Sequence, residues 1–344
     1  MVLAYIHATH TIFYARKPNS LTMSLKNRSV LITGGAGFIG SHLVDRLIRE
    51  QPDNLIVVDN LFLGKKDNLD AAYREYPRLK FYKRDASDRS AMQDILEEEN
   101  VDVVFNLAVV PLPASLECPA YAFRKNVAIT LTLCELLNHN SLFNTLIHYS
   151  SSEAYGTCEY APMDEDHPLN GTTPYAASKS ASDMLVLSYY RTFGIDTAIV
   201  RPFNNYGPRQ NEGSFCAVIP ETMKRILKGD SPIIYGDGKQ TRDYIYVTDT
   251  CEATIKVYEN KSSRGKAINI ASGEEVSIEY VISLISEYLG SSKKPVYEPE
   301  RLGDVRRHIA NTFLAKDLLG FTPQVKFEDG MKATVAWYRD LLAP

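Results

Sequence analysis

VLITGGAGFIGSHLVDRLI, residues 30–48, orders its residues as a strand, a tight turn and a helix. An apolar, β-branched run leads into Gly34, Gly37 and Gly40, and apolar residues then recur at helical spacing through Phe38, Leu43, Leu47 and Ile48. Glycines in such a turn permit a sharp reversal, close approach of main chain to a pyrophosphate, and tight packing of helix on strand. The helix N-terminus then faces the negative charge.

The next apolar run, LIVVD, ends in Asp59, nineteen residues beyond Gly40. An acidic side chain at that point hydrogen-bonds ribose hydroxyls and repels a 2′-phosphate, so NAD is expected over NADP. Further short apolar strands follow in KFYKRD, VDVVFNLA, TLIHYSS and DTAIVRPF, with helical stretches between them. That alternation is the grammar of an α/β protein with a doubly wound parallel sheet and right-handed crossovers. Ligands bind beyond the carboxyl ends of such strands, and Gly34, Asp59, Ala108, Ser151 and Asn204 all follow strand ends.

Tyr175 and Lys179 stand four residues apart in TPYAASKSASDML, downstream of three consecutive serines in HYSSSEAYG. A helix presents positions i and i+4 on one face, so the Lys179 ammonium can stabilise a Tyr175 phenolate. A tyrosine tuned in this way takes a proton from a hydroxyl near neutral pH.

At 344 residues the chain has room for two domains or one large α/β unit with an appended lobe. A formal charge of −4 argues against a general nucleic-acid or membrane-surface binder. The five cysteines lack CxxC pairing, which points to a reduced, cytoplasmic setting, and the seven histidines form no metal-ligand motif, so no metal is expected. The single tryptophan, Trp337, sits in an amphipathic stretch and reads as packing. Residues 1–25 precede the first credible strand and read as a disordered extension; their apolar stretch is too short and interrupted for a membrane span.

Several motifs in order, TGGAGFIGSHL, VVDNLFLGKKDNL, YKRDASD, VFNLAV, SSSEAYG, PYAASK, VRPFNNYGPRQ, YGDGKQTRDYIYVTD and GDVRR, carry a resemblance that covers the chain from about Ser29 to Trp337. The chain resembles the extended short-chain dehydrogenase/reductase family that modifies nucleotide sugars, including 4-epimerases, 4,6-dehydratases and decarboxylases. The resemblance implies a Rossmann domain over residues 26–203 and a smaller α/β substrate-binding lobe, mainly residues 204–344, that shares some chain with the first. It implies NAD held by Gly34, Gly37, Phe38, Ile39, Gly40, Asp59, Asn60, Asp85, Ala86, Leu107 and Ala108, with Asn126 supporting the active-site helix.

The implied chemistry is transient oxidation at C4 of the sugar of a nucleoside diphosphate sugar. Tyr175 acts as base, Lys179 lowers its pKa and orients the nicotinamide ribose, and Ser151 hydrogen-bonds O4. Ser152, Asn204, Arg209, Arg242 and Arg306 are the implied substrate contacts, with the arginines suited to diphosphate because a guanidinium fork fits phosphate oxygens. Glu153 decides the branch. Epimerases carry a small residue there, whereas dehydratases and uronate decarboxylases carry glutamate in TDE or TSE; the SSE of this chain departs from both. DNLFLGKKDNL and GDVRR favour a UDP-sugar 4-epimerase, with a lyase using Glu153 as the alternative and a non-catalytic dinucleotide-binding protein as a remote one. The family's habit of pairing through two helices implies a homodimer.

Overall fold

Strands buried on both faces read as unbroken apolar runs, and SVLIT and NLIVV are such runs. The computed structural model describes residues 23–140, 142–301, 303 and 305–342. Its first part runs β1 (Ser29–Thr33), α1 (Phe38–Ile48), β2 (Asn54–Val58), α2 (Asp70–Glu75), β3 (Lys80–Tyr82), α3 (Arg89–Glu98) and β4 (Val103–Asn106). It continues through α4 (Leu112–Glu117), α5 (Pro119–Asn140), β5 (Thr145–Tyr149), α6 (Pro174–Phe193) and β6 (Thr197–Pro202). Next come β7 (Asn204–Tyr206), α7 (Val218–Leu227), β8 (Ile233–Tyr235), β9 (Thr241–Tyr246), α8 (Val247–Glu259) and β10 (Ala267–Ile270). The chain closes with β11 (Glu275–Ser277), α9 (Ile278–Tyr288), β12 (Val296–Glu298), α10 (Phe313–Leu319) and α11 (Phe327–Leu342).

Seven parallel strands form the main sheet in the order β3-β2-β1-β4-β5-β6-β10. The direction of winding reverses between β1 and β4, which opens a crevice at their carboxyl ends. Two apolar layers cover the sheet. One includes Val30, Ile32 and Val57 with α1 and α8, and the other includes Leu31, Ile56 and Val104 with α3 and α5. A third core, built from Tyr206, Met223, Val281 and Tyr338, holds α7, α9 and α11 together and forms the smaller lobe with β7, β9 and β11.

β10, far along the chain, returns to pair with β6, so the large sheet draws strands from both sides of residue 203. Residues 23–25, assigned to the extension by sequence pattern, belong to the folded body. Met23 N–H donates to Glu259 O at 2.8 Å, and Leu25 is fully buried in the core. Residues 1–22 lie outside the described residues. Among the described residues no helix is long and apolar enough to cross a membrane.

Candidate active site

The turn after β1 fixes the first wall of the site. Gly34 has φ of +69°, a conformation that glycine adopts without strain, and a Cβ on it would come within 2.8 Å of Ala108 N. A Cβ on Gly40 would sit 2.1 Å from Gly34 O, so only glycine lets α1 lie this close to the turn. No side chain caps α1 at Gly37 and no acidic residue occupies its first turn, leaving its leading N–H groups for an anion. Beyond β2, the Asp59 carboxylate accepts from Ala36 N–H at 3.0 Å and Leu61 N–H at 2.8 Å. Burial still holds its pKa above the usual carboxylate range despite those two bonds.

A cavity of about 770 Å³ opens along the carboxyl ends of the strands. It brings together Gly34, Gly37, Phe38, Ile39, Gly40, Asp59, Asn60, Asp85, Ala86, Leu107 and Ala108 on one side. Ser151, Glu153, Tyr175, Lys179, Asn204 and Arg209 line the other. Asp85 is held by Lys125 at 2.9 Å and by Ser87 N–H at 2.9 Å; burial raises its pKa, and these contacts outweigh it to leave a net lowering.

The catalytic-type helix, α6, begins where Thr173 Oγ1 caps Ala176 N–H at 3.1 Å with Pro174 at its first position, and ends at Gly194 in the left-handed region. Tyr175 therefore stands in the first turn and Lys179 one turn later. Asn126 does not line the cavity. Its amide reaches both main-chain groups of Val110 and Ser178 Oγ at 2.9 Å, tying α5 and the loop after β4 to α6.

Ser151 is extended and caps the short 3-10 turn Ser152–Tyr155 by accepting from Glu153 N–H at 3.2 Å. Its hydroxyl also acts on the Tyr175 phenol, opposing the rise in its pKa. Ser152, expected on the substrate side, is buried and absent from the cavity wall, because the 3-10 turn rotates it into the protein. Ser150 lines the cavity but directs its hydroxyl to Asp183 Oδ2 at 2.6 Å.

The helical spacing predicts that Lys179 draws the Tyr175 pKa down. The structure corrects this. Burial pushes the phenol up to about 12, the Ser151 bond opposes the rise, and the charges of Glu153 and Asp183 add to it. Lys179 instead donates to Tyr149 O at 2.6 Å, and burial lowers its own pKa to about 8 against the pull of Asp183.

A second cavity of about 220 Å³ shares Asn204, Ala217, Val218 and Tyr244 with the first and continues it into the lobe. Arg242 lines this extension, with Nη1 donating to Val305 O at 2.5 Å. Two groups missed by sequence reasoning lie here: Arg301, stacked 3.8 Å over the centroid of Tyr235, and Arg225. Arg301 opens the segment whose GDVRR was recognised, so motif context could have found it. Arg306 lines neither cavity; it pairs two-pronged with exposed Asp237 at 2.6 and 2.9 Å. Arg209 reaches the first cavity but is held by Asp45 of α1 at 2.7 Å. Trp337, expected as packing, also lines the first cavity.

A family model described as GDP-mannose 4,6 dehydratase matches residues 31–334. The chain belongs to the extended short-chain dehydrogenase/reductase family of nucleotide-sugar epimerases and dehydratases. UDP-glucose 4-epimerase of Mycolicibacterium smegmatis is 32% identical over 311 residues, covering 90% of this chain and 98% of the relative. UDP-glucose 4-epimerase of Thermotoga maritima, solved with UDP-glucose, superimposes with a TM-score of 0.84 at 34% identity, covering 91% of this chain and 99% of that one. A dTDP-glucose 4,6-dehydratase of Streptomyces venezuelae, solved with NAD bound, gives 0.85 at 32%, covering 91% and 97%. Both branches of this NAD-dependent family thus lie at similar distance from the chain. Among the described residues no group of three His, Cys, Asp or Glu side chains could hold a metal ion.

Proposed function

We propose that this chain is an NAD-dependent UDP-sugar 4-epimerase acting by transient oxidation at C4. The observation that carries the reading is the meeting of Tyr175, Ser151 and Lys179 in one cavity with the glycine turn. NAD fits that turn: a Cβ at Gly34 or Gly40 would fill the cradle, the uncapped α1 N-terminus would take the pyrophosphate, and Asp59 would hold the adenosine ribose and disfavour a 2′-phosphate. Bound NAD supplies the hydride acceptor at C4 and its positive ring charge.

Tyr175 Oη takes the proton from O4 and returns it when the ketone is reduced from its other face. Ser151 Oγ would hold O4 against the phenol, and Lys179 adds its ammonium to the cavity beside Tyr175. Asn204, Arg242 and Arg301, which line the extension of the cavity, would contact the diphosphate and nucleoside.

Ser152 counts against the dehydration route that uses an aspartate acid, the TDE type, though not against one of the TSE type. Dehydration needs a base at C5 and an acid for the C6 hydroxyl, and the position that carries the family's aspartate acid is here a buried serine off the cavity wall. Glu153 then serves hydrogen bonding at the sugar. Turnover of UDP-glucose in D2O, followed by NMR, tests this: UDP-galactose without carbon-bound deuterium is expected. A 4-keto-6-deoxy product carrying deuterium at C5 would assign the dehydratase branch, and a labelled pentose from a UDP-uronate would assign the decarboxylase.

The exposed apolar side chains of Tyr121, Phe123 and Leu131 on α5 and of Met184 on α6 support a homodimer through this helix pair. Light scattering that returned a monomer mass would remove it.

A further inference from the structure

A strand alternates its side chains between two faces, and only one face of β9 meets the cavity extension. Arg242 and Tyr244 line it, while Asp243 between them lines neither cavity. The Asp243 side chain is fully buried and its carboxylate is saturated with donors. Oδ1 accepts from Ser272 N–H at 2.8 Å and Ser272 Oγ at 2.6 Å, and Oδ2 accepts from Gly273 N–H at 2.9 Å and Ala310 N–H at 3.2 Å. Burial pushes its pKa up to about 6 against those bonds, so the group is ionised at neutral pH and each bond is charge-assisted.

The donors come from two stretches of chain. Ser272 and Gly273 form the turn between β10 and β11, and Ala310 closes the segment 305–310, which follows Arg301. That segment lies against the start of β9. Thr241 N–H donates to Arg306 O at 3.1 Å, and His308 N–H donates to Thr241 O at 3.2 Å. Consecutive residues of β9 then grip the two ends of the segment from opposite faces: Arg242 Nη1 donates to Val305 O at 2.5 Å, and Asp243 takes the Ala310 N–H. A bound diphosphate would draw on the same Arg242 guanidinium, whereas the Asp243 grip is independent of ligand.

We propose that Asp243 is a positioning residue for nucleotide-sugar binding, holding segment 305–310, and with it Arg301, docked against the extension of the cavity. This rests on reading Arg242 and Arg301 as contacts of the nucleoside diphosphate. An apparent dissociation constant is the intrinsic one divided by the fraction of molecules in the binding-competent form, so a loosened segment weakens binding in proportion. Tyr175 and Lys179 stand on α6 and Ser151 follows β5, so the reacting end of the site is left as it was. Asp243 therefore acts on binding and not on the chemical step.

Asp243→Asn keeps the shape of the side chain but, whichever way its amide is turned, sets an NH2 group against a main-chain N–H donor where an oxygen stood. Calorimetric titration with UDP should give a Kd weaker by about 10-fold or more, and KM for UDP-glucose should rise in step. Meanwhile kcat should stay within about 2-fold, and NAD should be retained as in wild type. Ser272→Ala deletes the hydroxyl bond alone, should weaken UDP by about 3-fold, and decides the matter if Asp243→Asn does not fold. Hydrogen–deuterium exchange read by mass spectrometry follows docking without any ligand: peptides covering 305–311 should exchange faster in both variants, and those covering β1 and β4 should not. Unchanged UDP affinity in folded Asp243→Asn, or in Ser272→Ala where only that variant folds, would overturn the proposal, as would a kcat that falls as far as kcat/KM. A wild-type protein that binds no UDP would instead overturn the functional reading, with the faster exchange still marking the Asp243 clamp.

Discussion

At the glycine-turn end of the large cavity main-chain groups fix the shape of the turn, and toward the lobe side chains do. The Gly34–Gly40 turn, the leading N–H groups of α1 and the loop at Leu107 and Ala108 act through backbone, with Asp59 itself held by two backbone N–H groups. In the smaller cavity that continues the large one into the lobe, Asn204, Arg242, Arg301 and Tyr244 converge from β7, β9 and the segment after β12, and Arg242 is steered by the Val305 carbonyl far along the chain. A wall of backbone admits any ligand with the right pyrophosphate geometry and tolerates change poorly. A wall of side chains can be revised residue by residue, which is how one family supports both epimerases and dehydratases on one frame.

The severest break in that comparison comes from Gly40→Ala. Its Cβ would meet Gly34 O at 2.1 Å, with the Gly35 Cα at 2.8 Å, so turn and helix must part. Overpacking of this kind costs about 1–3 kcal/mol and lowers the melting temperature by several degrees. Purified Gly40→Ala should carry no NAD after denaturation and extraction, and turnover should vanish with it. Retention of NAD at the wild-type level would show that the cradle is not set by this contact.

Next in size is Tyr175→Phe, which leaves both walls intact. Loss of one acid–base group lowers kcat by roughly 10³-fold while UDP-glucose still binds, because the hydroxyl acts chiefly in the transition state. Steady-state kinetics with calorimetric binding checks both halves. The phenol is held near 12 in the protein alone, so a 13Cζ-tyrosine titration of the NAD-free enzyme should find Tyr175 protonated throughout the neutral range.

How far each wall could be read in advance follows from the same contrast. Glycines and strand-end residues are spaced by local geometry, so the meeting of Gly34, Asp59 and Ala108 on one cavity was legible, as was the parallel sheet. The three serines were not separable by spacing: what distinguishes them is that Ser151 is extended and caps a 3-10 turn, which buries Ser152 and leaves Ser150 to Asp183. Tyr175 acidity departs from the expectation because burial, which no i, i+4 rule contains, raises the phenol, with the charges of Glu153 and Asp183 adding to it. Arg306 and Arg301 exchanged places for a similar reason. Which arginine enters the cavity is decided by a stacking partner, Tyr235, and an ion-pair partner, Asp237, both more than sixty residues upstream.

Arg242→Lys probes the side-chain wall with a smaller effect. The charge survives but the planar fork does not, so one of two simultaneous contacts, to Val305 O or to a phosphate oxygen, is lost. A hydrogen bond to a charged group is worth about 1.5–3 kcal/mol, which converts to a KM higher by about 10- to 100-fold with kcat nearly kept. An equal fall in kcat and kcat/KM would mean that Arg242 acts in the transition state and belongs to the chemistry.

The smallest effect is expected where the two walls touch. Lys65, in the loop after β2, pairs with Glu212 of the loop after β7, and beside them Phe62 stacks on Phe215 with ring centroids 6.4 Å apart. All four line the cavity, so this contact clasps the cofactor wall to the sugar wall across its mouth. Lys65 is about half exposed, at 49%, and exposed ion pairs contribute only about 0–1 kcal/mol. Lys65→Ala should therefore speed UDP release by no more than about 5-fold and leave kcat unchanged. Trp337, the single tryptophan and itself a cavity residue, reports that release by fluorescence in a stopped-flow experiment. Phe62→Ala in the same background removes the stacked pair, worth about 0.5–1.5 kcal/mol, and should add a second step of similar size. Raised salt should erase the Lys65 step and spare the Phe62 step, since screening acts on charge and not on ring contact. Release rates in both variants equal to wild type would mean that the walls meet without holding each other, and that closure of the mouth lies elsewhere.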